Sequence, residues 1–217
     1  MENNPVNFND PMGREINLTG HRVQFGFIKT KHAHFAIQVV PDDQTYWTNN
    51  SAVQLEPLND GTGRHYFTIS GKATGSVPFL GDLELVFHKP SDLPSKNFAV
   101  GPIGIPSGAS ENEYIHTLLD ATTYYNQNRV DYDILPEFLP GSGSNSTGGS
   151  FGLIQATGGS LPNTSSLPGG LGTAGAATPV PPQNFGVSGS SSSSGGQSLY
   201  PSTPSTSFIS NVYCKGC

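Results

Sequence analysis

Of the 10 basic and 16 acidic side chains in this 217-residue sequence, Lys215 alone lies beyond Glu137. A chain that sheds its charge so abruptly changes character near Leu139. A mixed composition able to fold around a core gives way to a long tract of Gly, Ser, Thr and Pro. Within that tract Ser188 to Ser198 reads SGSSSSSGGQS; such a run has no side chain to bury and cannot offset the entropy lost on ordering. The expected organisation is therefore a leader over residues 1–14, a folded body over 15–186, and a low-complexity, flexible tail over 187–217.

The body opens with period-two alternation. In HRVQFGFIK, His21 to Lys29, the apolar residues Val23, Phe25 and Phe27 alternate with Arg22, Gln24 and Gly26, which predicts a strand with one buried face. HFAIQVV, His34 to Val40, is a second strand and Pro41 to Asp43 a turn. QTYWT, HYFTIS and LELVFH read as further short strands, with the Asn59 to Gly63 turn between them. Ser110 and Glu113 have the spacing of a capping box, and Ile115, Leu118 and Leu119 recur at helical intervals, predicting a helix to Asn126 or Gln127. A weaker helix is expected around Gly152 to Ala156, because each interior glycine costs roughly 1 kcal/mol relative to alanine. The fold class is α+β, an antiparallel sheet with one or two helices.

Composition excludes several functions. The net charge of -6, with no Lys/Arg block, argues against nucleic acid, whose phosphates require clustered cations. No apolar stretch approaches the roughly 20 residues that span a bilayer, and MENNPVNF lacks the regions of a signal peptide. The two cysteines, Cys214 and Cys217, form a terminal C-x-x-C without further zinc ligands or a βαβ context, so they read as local thiols. His65 and His88 lack neighbouring carboxylates and read as structural; no cofactor and no metal site is expected. Trp47 reads as core, with a groove beside Tyr46 as the other possibility. Asp131 and Asp133 alternate along an extended segment, so they do not face one another as a glycosidase pair.

The leader ENNPVNFNDPMGR is physically a loop of turn formers. Through Asn4, Pro5, Asp10, Pro11 and Gly13 it resembles the motif that ends the core of Rhs-type repeat proteins. That resemblance implies that Glu15 onward is a variable C-terminal effector domain, commonly a toxin. It would be presented by an Rhs repeat shell in cis, held in check by an immunity protein and delivered through a specialised secretion system.

The body carries a second resemblance. HAHFAIQVVPDD is similar to the histidine strand of circularly permuted, NlpC-like papain-fold proteins, and YDILPEFLPGSGSNSTGGSFGLIQATGGSLP is similar to their Asn-Ser-bearing late helix. The resemblance implies His34 as general base and Ser146 as nucleophile, with His32 and Ser150 as alternatives in a shifted register. The body has no cysteine, so a hydroxyl takes the place of the family's thiol. Gln44, Tyr46 and Asn49 stand open as the residue that orients the histidine. The activity implied is hydrolysis or acyl transfer at an amide or ester, on protein, peptidoglycan or lipid. The alternative from another class is a non-catalytic binding or delivery module on the same fold.

Overall fold

A computed structural model of the chain describes residues 15–25, 28–75, 81–133 and 143–187. The leader motif from Asn4 to Gly13, the Ser188 to Ser198 run, Cys214 and Cys217 lie outside these described residues. The fold is α+β. Strands β1 (Glu15–Phe25), β2 (Ile28–Val40), β3 (Glu56–Pro57), β4 (His65–Ala73), β5 (Leu83–Phe87) and β6 (Phe98–Pro102) form one antiparallel open sheet. Its order is β3-β4-β2-β1-β6, with β5 also paired to β4. The helices are α1 (Gln44–Thr48), α2 (Glu111–Gln127) and α3 (Ser146–Ala156). Among the described residues, no helix is long and apolar enough to cross a membrane.

Alternation decides which sheet face is covered. Phe35, Ile37 and Val39 on β2, Phe67 and Ile69 on β4, and Leu83 and Leu85 on β5 are fully or almost fully buried and belong to one core. Helix α3 lies on β2 and β4, with Phe151 packed against Phe35 at 5.4 Å between ring centres. The histidine strand is thus covered by α3. The capped helix α2 packs beside it, against α3 and β5.

Three expectations need correction. HRVQFGFIK is divided between the end of β1 and the start of β2 rather than forming one strand. QTYWT is the helix α1, because the Asp43 side chain accepts the Tyr46 N–H at 2.8 Å and supplies an N-cap. Its Trp47 is fully buried and donates through Nε1 to Asn112 Oδ1 at 2.7 Å, which makes it core rather than groove wall. The late helix is longer than expected and starts at Ser146, with Asn145 as N-cap.

The glycines that weaken α3 as an isolated helix allow it to dock. A Cβ at Gly152 would lie 2.5 Å from the Val180 carbonyl oxygen, and one at Gly71 would lie 2.7 Å from Ser146 Cα. Both distances are shorter than atoms tolerate, so close backbone approach takes precedence over local propensity. At α2 local and tertiary signals agree: the Ser110 hydroxyl accepts from Glu113 N–H, and the Glu113 carboxylate accepts from Ser110 N–H. Ser110→Ala is expected to cost about 1 kcal/mol, measured by urea denaturation, with α2 otherwise unchanged.

Candidate functional site

His34 stands near the middle of β2, directly across from His21 of β1 in the antiparallel register. Since Phe35 faces α3, alternation sends His34 to the other side of the sheet, where Ser70 of β4 also lies. The loop after β5 crosses this side and buries Asp92, which is 1% exposed. His34 Nε2 is 3.3 Å and His21 Nδ1 is 3.6 Å from Asp92 Oδ1. The Ser70 hydroxyl donates to Oδ2 of the carboxylate, and Ser91 Oγ donates at 3.1 Å to Oδ1, the oxygen the two histidines face. Its backbone N–H is tied to the Lys89 carbonyl at 2.8 Å.

Burial and charge act in opposition here. Burial alone would raise the Asp92 carboxyl, but His34, Ser70 and Lys89 together hold it below the ordinary carboxylate range. Burial lowers His34 from its ordinary value against the pull of Asp92. It also takes His21 down to about 4, helped by the neighbouring His34. Both imidazoles are therefore neutral near pH 7. With Nε2 of His34 turned to Asp92, Nδ1 is the nitrogen left to accept a proton.

Ser146 reaches this region from the other side of the sheet. Strands β2 and β4 cease pairing at Ala36–Ser70, and the first turn of α3 sits where they part. Ser146 Cα lies over Gly71, and Thr147 Oγ1 donates to the Ala33 carbonyl at 3.5 Å. A cavity of about 390 Å³ opens there, lined by His21, His32, His34, Tyr132 and Ser146 among others. The Tyr132 phenol is hydrogen-bonded to the Ser146 side chain; burial and nearby Asp133 raise its pKa despite that bond, so it stays protonated. In the first turn of α3 the Gly148 N–H donates to Asn145 Oδ1 at 3.0 Å. Those of Ser146 and Thr147 have no intrahelical acceptor at this position, and the helix dipole adds positive potential.

Three of the four residues drawn from the resemblance thus line one cavity: His34, His32 and Ser146. Ser150 is placed otherwise, 1% exposed with its hydroxyl donating to the Phe35 carbonyl at 3.2 Å. None of the three residues left open as orienting group engages His34. Gln44 binds the backbone of Pro41 and His65, Tyr46 binds His116, and Asn49 binds the Thr45 carbonyl. The residue facing His34 is Asp92, which no local pattern marks: it stands in K-P-S-D-L-P, an irregular stretch between two prolines. The only available signal is a lone carboxylate with small hydroxyl residues nearby. No family model matches the chain, and no curated protein or solved structure matches it either.

Proposed function

We propose that the described domain is a serine-dependent acyl hydrolase or acyltransferase of permuted papain-like design, serving as the C-terminal effector of an Rhs-type polymorphic toxin. The supporting observation is a buried histidine turned through one nitrogen to a buried carboxylate, on a cavity that also holds a serine at the start of a helix. Such a set divides the work of acyl transfer among its members. Ser146 Oγ attacks the acyl carbon, and its proton passes to His34 Nδ1. Asp92 fixes the ring and stabilises the imidazolium that forms, while first-turn N–H groups of α3 receive the oxyanion. Collapse expels the leaving group with the proton from His34. Water or another acceptor then releases the acyl group from Ser146 by the same steps in reverse.

The resemblance at Asn4 to Gly13 supplies the toxin context, and with it a repeat shell in cis and an immunity partner. Expression of the chain in a susceptible bacterium tests both parts of the reading. The parent is expected to stop growth, Ser146→Ala and His34→Ala to be harmless, and His32→Ala to retain most of the toxicity. Full toxicity of both harmless-expected variants would exclude this mechanism. An innocuous parent would favour the non-catalytic binding module.

A further inference from the structure

The spacing around Asp92 carries a second consequence, independent of Ser146. A hydrogen bond between imidazole and carboxylate normally brings the heavy atoms to about 2.7–2.9 Å when charge assists it. The observed separations, 3.3 Å from His34 and 3.6 Å from His21, are longer. The His34 separation is close to the edge of a metal tetrahedron, roughly 3.3–3.4 Å for two ligands each about 2.0–2.1 Å from zinc, and the His21 separation is a few tenths of an ångström longer. The three donor atoms, His21 Nδ1, His34 Nε2 and Asp92 Oδ1, lie within 4.8 Å of one another. Among the described residues, neither imidazole nitrogen has a hydrogen-bond partner of good geometry, although both are buried. His34 itself is 5% exposed. Both nitrogens thus face one carboxylate oxygen at more than the length of a charge-assisted hydrogen bond, an arrangement that an ion held by all three would complete.

We infer that His21 Nδ1, His34 Nε2 and Asp92 Oδ1 form a binding site for a single divalent transition-metal ion of the zinc type. Nitrogen and carboxylate donors suit zinc, and three protein ligands leave a fourth position for water. Neutral imidazole is the form that coordinates. Ser70 and Ser91 support the carboxylate as outer-shell partners, and Asn97 sits against the His21 ring. The side chain of His21, 21% exposed, is the open side by which an ion enters.

One consequence rests on the proposed catalytic reading. A neutral imidazole bound to metal through Nε2 carries its proton on Nδ1 and cannot take another from Ser146. Metal occupancy would therefore silence the hydrolase while leaving the fold intact, and its removal would restore activity.

The test uses the full chain carrying Cys214→Ser and Cys217→Ser, so that the terminal thiols do not bind the ion, and reads zinc binding by calorimetry. One zinc per chain is expected, with a cobalt-substituted form showing visible absorption of a low-coordinate site. His21→Phe, which keeps a ring on β1, is expected to weaken zinc by at least ~100-fold, since loss of even an outer-shell partner costs 10- to 100-fold. Asp92→Asn provides the second variant, and circular dichroism checks that each is folded. Absence of binding by the parent, or binding unchanged in folded His21→Phe, overturns the site. In parallel, zinc is added to an assay of p-nitrophenyl acetate turnover. Binding without any turnover in metal-free protein would defeat the catalytic reading alone, whereas turnover without binding would defeat the metal site alone.

Discussion

Ser146→Ala is expected to reduce turnover of an activated ester by about 10⁴- to 10⁶-fold, the range seen when the nucleophile of a serine triad is removed. The size of the effect follows from covalent chemistry: without the hydroxyl no acyl-enzyme forms, and only cavity binding and the helix N-terminus remain. Stability should scarcely change. Ser146 contributes one hydroxyl bonded to Tyr132 at the edge of a cavity, whereas α3 is held by Phe151, Leu153 and Ile154 and by its close backbone approach to Val180. Ser150→Ala supplies the contrast. Its hydroxyl bonds the Phe35 carbonyl, so it should cost about 1 kcal/mol of stability and little turnover. Steady-state kinetics together with urea midpoints on the two variants separate the proposed nucleophile from the serine four residues later, whose hydroxyl bonds the backbone.

Asp92 is expected to affect both stability and turnover. Asp92→Ala removes the acceptor for Ser70 and Ser91 and the charge facing His21 and His34, leaving several buried polar groups without partners. The expected loss is about 2–4 kcal/mol. Asp92→Asn keeps the shape and one carbonyl acceptor, so its cost in stability should be smaller. Its turnover should still fall by about 10³- to 10⁴-fold, because an amide neither fixes the productive tautomer of His34 nor stabilises its charged form. A near-normal rate for folded Asp92→Asn would remove Asp92 from the catalytic set and return the orienting role to an unassigned group.

How much of this was legible in the sequence depends on whether local and tertiary signals agreed. Where they did, at the Ser110–Glu113 capping box, the helix appears where the residues place it, and HFAIQVV is strand, although that strand begins earlier, at Ile28. QTYWT misled because aromatic and β-branched residues favour strands on composition, while the deciding features were Asp43 as a cap and Asn112 as a distant partner for Trp47. Glycines misled in the opposite direction in α3: they lower helix propensity, yet Gly152 is what lets the helix lie against Val180. At the site, His34 and Ser146 were visible through motif resemblance, and both line the cavity. Asp92 was not, nor was the pairing of His21 with His34. Both depend on strand register and on a loop path between prolines, and neither leaves a periodic trace in the chain.

Covalent capture tells whether Ser146 is an activated nucleophile. The folded chain is incubated with a fluorophosphonate, an electrophile that reacts with activated serine hydroxyls, and analysed by intact mass and peptide mapping. One adduct per chain is expected, located on Ser146, absent after heat denaturation and strongly slowed in His34→Ala. An adduct on a different serine, or labelling of Ser146 that proceeds equally fast without His34, would contradict it.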